Sequence, residues 1–503
     1  SLSSPGGLKA GEWKYVRVVV PEGDHVKGWD VGLKNVSGAG DPKIMVCRDR
    51  LPVGTTNTLN PSSGSSTWAA GLSWAGQVDW TKRTNESGGT PNVSTRRLMM
   101  ARGRPLVPGT YYVGIFNAGT VAISGFMIES RGIGDGLTLP VATLPYAAGS
   151  SATVANLAPR EARYFKVTIP ENTPSWEFTL DPTIGEMMAV VRRGYLPDFG
   201  APSSPTQAQV QSLVIDATRE ASIQKNGPER FVLLPPSGTY SLVADDYYIA
   251  VVSEGQDPAS KTEVGTGNAS GVLTSLGALA VNSMGTVGVS GLIQPVSLVG
   301  GQVKAFQYQV PPGVYSIEIH LENRSGNPWS NVALSGRTPL PPPNVSLSTK
   351  SYYGFSGGQE DPGEQGALMW NISNPEPGPH TVVVRASASS SDPAVFPDAA
   401  ADLRIVGFVP EPLAFDGGTR AVGEQQAGTW RYYRVEVPDT PGLAGWDVRL
   451  KNVTGAGKPW VQIRRDYVPG GVESFGWPGS AYSTPAWPSA AQIAAQADWT
   501  ARN

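Results

Sequence analysis

The chain is poor in the residues that most often carry chemistry, namely cysteine, histidine and charged side chains. Its 503 residues include one cysteine, Cys47, and three histidines, His25, His320 and His380. A single cysteine excludes a disulfide within the chain, and we expect Cys47 to be a small core residue on a strand. A Ser-His-Asp triad or a zinc site needs several such side chains to converge, and these histidines lie in separate copies of a repeat. We therefore expect no catalytic residue, no metal site and no enzyme.

Charge and long apolar runs are scarce as well. Charged residues make up 16% of the chain and the formal net charge is −3, so no basic stripe marks a nucleic-acid surface. No run of about 18 apolar residues occurs, which excludes a membrane-spanning helix. The first residues, SLSSPGGLKAGEW, lack the apolar core of a signal peptide, which a secreted protein would already have lost. We expect neither a nucleic-acid partner nor a membrane span.

Glycine and proline are abundant instead, at 60 and 44 residues, and they bound short segments rich in Val, Ile, Tyr and Phe. Apolar and polar residues alternate within these segments, which is typical of half-buried strands between tight turns. His320 lies in one of them, YSIEIHLEN, where it either faces solvent or fills a strand position. The length exceeds one ordinary hydrophobic core. The sequence predicts an all-β protein of tandem β-sandwiches, jelly-roll or immunoglobulin-like, with about seven to nine strands each.

One pattern of strands recurs four times. Each copy begins with a strand that ends in proline: WKYVRVVVP (13–21), ARYFKVTIP (162–170), VKAFQYQVP (303–311) and WRYYRVEVP (430–438). A second strand follows: GWDVGLKN (28–35), SWEFTLDP (175–182), YSIEIHLEN (315–323) and GWDVRLKN (445–452). A late strand after a tight turn, PGTYYVGIFN (108–117) in the first copy, has no counterpart in the fourth before residue 503. Three complete sandwiches and a truncated fourth are predicted.

The domain boundaries follow from these copies. The predicted domains are residues 1–133, 134–258, 285–410 and 420–503. The linkers between them, near 131–150, 255–295 and 407–425, are rich in Gly, Ser, Pro or small residues. Copies one and four are the most alike, because 28–54 aligns with 445–471 without a gap. Short helices are predicted at 205–225, as an insertion in the second domain, and at 489–499.

The interrupted fourth copy allows three interpretations. The parent chain continues past Asn503, or it was cleaved there, or a neighbouring chain supplies the missing strands by donor-strand complementation.

The motifs resemble those of the bacterial pre-peptidase C-terminal domain family. The matching stretches of the first domain are GEWKYVRVVVP, GWDVGLKN, IMVCRDRLP and PGTYYVGIFN. The third domain departs from the family where PGPHTVVVRA places His380 and Thr381 at the usual tyrosine pair. The resemblance implies secreted β-sandwiches without catalytic residues, which stand beside extracellular hydrolases or in large surface proteins. The expected location is therefore extracellular or on the cell surface.

The resemblance also brings in Ca²⁺, because a related group of domains binds collagen and carries calcium near its N-terminal linker. No motif of this chain matches that site. The segment GGQEDPGEQG (357–366) holds Glu360, Asp361 and Glu364, but their spacing is not that of an EF-hand loop. We interpret it as a solvated acidic loop and expect no cofactor.

Tryptophans in Gly-, Ser- and Pro-rich loops of copies one and four form the candidate contact surface. They are Trp68, Trp74, Trp80, Trp477, Trp487 and Trp499. Such rings either cover the end of a sandwich as a small core or form an exposed surface for a protein or a sugar. Loss of glycan or collagen binding in Trp74→Ala or Trp487→Ala would indicate the exposed surface.

The sequence favours a non-catalytic extracellular repeat protein with a structural or adhesive role, a surface array or filament held by self-association or by contacts between neighbouring modules. One alternative is the accessory C-terminal region of a large secreted protease or other hydrolase, which rests on the resemblance alone. Another is a module that binds collagen or carbohydrate, with a matrix protein or a glycan as its partner.

Overall fold

The structure is a computed structural model in which every regular element is a β-strand. It describes residues 2–4, 7–52, 73–76, 96–100, 106–158, 161–197, 221–223, 227–235, 241–255, 267–326, 328–332, 359–360, 368–386, 396–425, 430–455, 461–466, 468 and 492–495. These ranges contain no helix, so the predicted all-β class is confirmed. Accordingly, the described part of the chain offers no helix that could cross a membrane. The chain divides into two compact units, one ending at Leu279 and the next beginning at Ala280.

The first unit opens with a sandwich of two four-stranded sheets. Its strands are β1 (Leu2–Ser4), β2 (Trp13–Val20), β3 (Val26–Gly38), β4 (Pro42–Arg48), β5 (Ser73–Gly76), β6 (Arg96–Met100), β7 (Gly109–Asn117) and β8 (Ile123–Gly134). The sheet orders are β1-β8-β3-β6 and β2-β7-β4-β5. Alternation places Val31, Ile44 and Val113 between the sheets, where they are fully buried. Eight strands in this order form a jelly roll, the first of the two predicted sandwich types.

The second sandwich repeats this arrangement. Its strands are β9 (Val141–Thr143), β10 (Ser151–Leu157), β11 (Ala162–Ile169), β12 (Trp176–Ile184), β13 (Glu186–Arg193), β14 (Ala221–Ile223), β15 (Glu229–Leu233), β16 (Asp245–Gly255) and β17 (Ala269–Gly277). The sheets run β10-β17-β12-β15 and β14-β13-β16-β11-β9. The short strand β9 is an addition, because it comes from the linker and pairs in parallel with β11. The core contains the fully buried rings of Trp176 and Phe178.

The third sandwich belongs to the second unit. Its strands are β18 (Val281–Thr286), β19 (Leu292–Leu298), β20 (Val303–Val310), β21 (Ser316–Ser325), β22 (Pro328–Val332), β23 (Gln359–Glu360), β24 (Leu368–Ser373), β25 (Gly378–Ala386) and β26 (Ala399–Phe408). The sheets run β18-β20-β25-β22 and β19-β26-β21-β24-β23. The linker strand β18 again lies parallel to a strand of the sandwich proper, β20, which is the counterpart of β11.

The second sandwich extends past residue 258, into the segment that was predicted to be a linker. Strand β17 starts at Ala269 and pairs with both β10 and β12. Its residues, ASGVLTSLG, are small and polar enough to indicate a linker, yet they alternate strictly between buried and half-buried positions. The small side chains of this strand therefore explain why composition alone gave the wrong boundary.

The two predicted helices are wrong wherever the structure describes their residues. Ala221–Ile223 is strand β14, and Gln492–Ala495 is strand β30, which pairs with β29 (Val461–Arg464). The remainder of both segments lies outside the described residues. An alanine-rich sequence has high helix propensity, but pairing along a sheet overrides that weak preference.

The fourth copy forms β29 where β4 lies in the first copy, but it forms little of the first two strands predicted from that likeness. Of WRYYRVEVP only Tyr433–Arg434 (β28) is a strand, paired in parallel with Glu411–Pro412 (β27), and 445–452 is not in a strand. In the first sandwich the matching strands β2 and β3 pair with β7 and β8. Among the described residues, β28 pairs only with β27, which is not the antiparallel ladder that β7 forms with β2.

Candidate interaction surfaces at the domain junctions

The structure describes only one of the six candidate tryptophans. Trp74 lies in β5, where it pairs with Val46 of β4. The other five, Trp68, Trp80, Trp477, Trp487 and Trp499, lie outside the described residues. The contact surface proposed for these rings therefore stays a prediction.

The other residues singled out from the sequence have structural surroundings. Cys47 is fully buried on β4, as predicted. His320 is also fully buried and thus fills a strand position, with its Nε2 3.1 Å from Oε2 of Glu318. Glu360 belongs to β23, whereas Asp361 and Glu364 lie outside the described residues. Within the described ranges, no three His, Cys, Asp or Glu residues are grouped so that they could hold a metal ion.

A buried ring marks the third residue of each late strand. The hydroxyl of Tyr111 donates to the carbonyl of Val107 at 2.7 Å, and that of Tyr247 donates to Val243 at 3.1 Å. These contacts have the form of the tyrosine corner of β-sandwiches. In the third sandwich the imidazole of His380 takes this place, and its Nε2 lies 2.8 Å from the carbonyl of Glu376. The departure at His380 thus preserves the corner, and its role is structural.

Arg131 carries the polar contact between the first two sandwiches. It lies on β8, and its Nη2 is 2.6 Å from Oδ2 of Asp30 on the neighbouring strand β3. Its Nη1 is 2.9 Å from Oε2 of Glu161, the residue immediately before β11 of the second sandwich. Burial opposes the charge of Arg131, but Asp30 and Glu161 outweigh it and raise the pKa of the guanidinium. One cation therefore bridges carboxylates from both domains.

An apolar cluster completes this junction. It includes Ile133 from β8 and Leu139 from the linker, together with the outer face of β11, β13 and β16. Tyr164, the third residue of β11, belongs to the cluster and is 3% exposed. The linker is fixed at both ends, because Gly134 and Leu139 are hydrogen-bonded to each other and β9 pairs with β11. The outer sheet of the second sandwich is thus covered by the end of the first.

The third sandwich and the start of the fourth copy meet in the same way. Tyr432, which is 7% exposed, has its ring centroid 5.5 Å from that of Phe408 at the end of β26. Ser316 donates a 2.9 Å hydrogen bond to the Tyr432 hydroxyl. The backbone N–H of Trp430 donates to Oε1 of Glu318 at 3.0 Å. The linker strand β27 runs parallel to β28, as β9 does to β11.

Several residues of the two junctions occupy corresponding positions. Ile133 pairs with Gly28 at the start of β3, and Phe408 pairs with Ser316 at the start of β21. Asp30 follows Gly28 by two positions, and Glu318 follows Ser316 by two, so the two carboxylates are equivalent in the second strand. Asn35 and Asn323, five further along from each, both have left-handed backbone conformations at a break in register. Two independent sandwiches therefore present the same docking end.

The carboxylate of this docking end recurs in all four copies, as Asp30, Glu177, Glu318 and Asp447. Burial raises the pKa of Glu177, against the opposing charge of Arg230. The pKa of the exposed Asp447 is lowered, chiefly by its hydrogen bond to Arg449. The acidic residue of the second strand is visible in the repeats, as GWDV, SWEF and SIEI. The alternation of apolar and polar residues alone did not show which face of the sandwich a following domain covers.

Comparisons with known proteins add little to this geometry. No family model matches the chain, and no curated protein matches it. A crystal structure of a candidate secreted protein from Eubacterium rectale is similar over 49% of this chain and 70% of that chain, with 12% identity and a TM-score of 0.12. At that TM-score the likeness carries no argument about fold or function.

Proposed function

We propose that this chain is a non-catalytic, structural section of an extracellular array, built from tandem jelly-roll domains of the pre-peptidase C-terminal kind. The observation that carries the proposal is the repeated junction, in which Tyr164 and Tyr432 pack on the ends of the preceding sandwiches. A catalytic or simple binding module has no need of equivalent, buried contacts between successive domains. A load-bearing or surface-covering array does, because it must fix each module against the next.

The junctions have the composition of permanent domain contacts. Arg131, Asp30 and Glu161 have side chains that are 11%, 6% and 15% exposed, so their ion pairs are shielded from solvent. Shielded, charge-assisted contacts of this kind fix an orientation more firmly than exposed pairs do. Together with the parallel linker strands they would limit bending between modules.

Immunogold labelling of intact source cells tests the proposal. Antibodies raised against the purified chain are expected to mark a continuous layer or filaments at the cell surface. Label found only inside the cells, or only on a soluble hydrolase in the medium, would contradict the array and favour the accessory-region alternative.

A further inference from the structure

The docking ends of the first and third sandwiches share a backbone frame but carry different charges. In the first sandwich, Arg131 of β8 lies opposite Asp30 of β3 in the ladder. In the third sandwich, the register places Val406 of β26 opposite Glu318 of β21. The position beside the docking carboxylate therefore holds a permanent cation in one sandwich and an apolar side chain in the other.

The neighbouring ion pair is reversed in polarity between the two sandwiches. In the first, Nζ of Lys34 on β3 lies 2.6 Å from Oε2 of Glu129 on β8. The corresponding residues of the third are Glu322 on β21 and Arg404 on β26, and Nε of Arg404 donates to Oε1 of Glu322 at 2.6 Å. The strand that supplies the cation in one sandwich thus supplies the anion in the other. The frame of the docking end is repeated along the chain, but its charge pattern is not.

The domain that follows each docking end matches these charges. Glu161, three residues before Tyr164, accepts a 2.9 Å hydrogen bond from Nη1 of Arg131. The residue three before Tyr432 in the fourth copy is Thr429, which lies outside the described residues. The fourth copy contacts its docking end through the backbone N–H of the next residue, Trp430, which donates to Glu318 at 3.0 Å. The first docking end thus receives a carboxylate, and the third receives a donor.

Exchanging the two followers would place like charges together. At the third docking end, a carboxylate in the place of Glu161 would lie beside the buried Glu318, with Val406 where the cation stands in the first. The nearest cationic side chains are already engaged there, since His320 contacts Glu318 and Arg404 is bonded to Glu322. Repulsion between carboxylates is strong where water is excluded. Specificity between similar partners commonly depends on such a repulsive element.

We propose that the residue opposite the docking carboxylate selects which domain follows each sandwich. The end with Arg131 takes a jelly-roll domain that enters with an acidic residue, and the end with Val406 takes one that enters with an uncharged residue. Tandem domains of one fold are prone to pair with the wrong neighbour during folding, and this selection opposes such mispairing. The proposal goes beyond the proposed function, because it concerns the order of the domains along the chain wherever the chain is located.

Amide hydrogen exchange of the full-length chain tests the third docking end. Thr429→Glu places a carboxylate directly before Trp430, and the protection factor of the Trp430 amide is expected to fall by about 5-fold or more. Thr429→Gln has a side chain of the same length as Thr429→Glu without the charge, so it is the matched control and leaves the protection unchanged. Adding Val406→Arg to Thr429→Glu is expected to restore the protection, because it supplies the cation that Arg131 supplies to Glu161 at the first docking end.

A change of sign tests the first docking end. With Arg131 in place, Glu161→Gln is expected to lower the midpoint of urea unfolding, because the guanidinium loses an anionic partner. In the Arg131→Val background the same substitution is expected to raise the midpoint, because it removes the repulsion between Glu161 and Asp30. Glu171→Gln, at an exposed glutamate of the same domain, is the matched control and leaves the midpoint unchanged in both backgrounds.

Two results would overturn the proposal: a protection factor at Trp430 that is equal in Thr429→Glu and Thr429→Gln, or a midpoint that falls with Glu161→Gln in both backgrounds. The two measurements use different domains, so a variant that fails to fold in one leaves the other to decide. Both are made on the isolated chain. Absence of label at the cell surface would therefore remove the array and leave this selection standing, and failure of the selection would leave the array.

Discussion

Ile133 and Phe408 occupy the same place in two different sandwiches, each opposite the first residues of the second strand and each within the cover of a tyrosine from the following domain. An aliphatic side chain and an aromatic ring thus serve one role. The neighbouring polar contacts differ in chemistry. Arg131 pairs with Asp30 at the first junction, whereas Ser316 and Glu318 are hydrogen-bonded to the following domain at the second. The junction is conserved as a geometry within this chain rather than as a set of identical side chains.

Shortening Ile133 should weaken the contact between the first two domains. Ile133 is fully buried, so Ile133→Ala leaves a cavity and is expected to lower the free energy of unfolding by about 2 to 5 kcal/mol. Urea unfolding of the full chain measures the change. Ile293→Ala, in a residue that is 65% exposed, is the matched control and should change stability by less than about 0.5 kcal/mol. Equal effects of both variants would argue against a packed junction.

Removing the Glu318 carboxylate should release the amide of Trp430. That N–H has the carboxylate as its acceptor at 3.0 Å, and a hydrogen bond to a charged group contributes about 1.5 to 3 kcal/mol. Glu318→Ala is therefore expected to speed hydrogen exchange at Trp430 by about 10- to 100-fold. Glu436→Ala, which removes an exposed partner of Arg434, should leave Trp430 unchanged. Unaltered exchange in Glu318→Ala would show that this contact does not hold the fourth copy.

The corner tyrosine Tyr247 should make the second sandwich sensitive to alkali. Burial raises the pKa of Tyr247 to about 12, while an unfolded tyrosine titrates near 10. The folded state keeps its proton longer, so the stabilisation is complete below about pH 10 and is lost as the pH rises towards 12. Tyr247→Phe should cost about 1 kcal/mol at neutral pH, from the bond to Val243, and make the alkaline decline less steep. Urea titrations across this pH range measure the stability loss at neutral pH and the alkaline decline. An alkaline decline that is as steep in Tyr247→Phe as in the unmodified chain would contradict the role assigned to Tyr247.

Cys47 should report the opening of the first sandwich. It is the one cysteine of the chain and is fully buried on β4. A thiol reagent is expected to label it completely in denaturant and only through opening of the sandwich under native conditions. Rapid native labelling, at the rate of a free thiol, would mean that β4 is not covered.

Much of the fold could be read from the sequence, because alternation and turn residues act locally. The strands predicted at 28–35 and 108–117 and the burial of Cys47 follow from such patterns. The junctions could not be read in this way. Tyr15, Tyr164 and Tyr432 stand in equivalent strands, yet Tyr15 is 38% exposed while the other two are buried, and the alternation within each strand does not distinguish them.

The failures have the same origin. Strand β17 was taken for a linker because its side chains are small, and its role depends on the sheet that it joins. The fourth copy has the strand-forming residues of the first, but among the described residues β28 pairs only with β27. In both cases the secondary structure depends on pairing with a distant segment rather than on local β-propensity.

The central claim, that successive sandwiches are locked by a shared junction, is tested most directly by a double-mutant cycle on Arg131 and Glu161. Unfolding free energies are measured for Arg131→Met, Glu161→Gln and the double variant. Lys166→Met, at the more exposed pair with Asp246, is the matched control and should change stability by about 0 to 1 kcal/mol. The structure predicts a coupling of about 0.5 to 3 kcal/mol between Arg131 and Glu161, which belong to different domains. Additive effects of the two substitutions would contradict the junction.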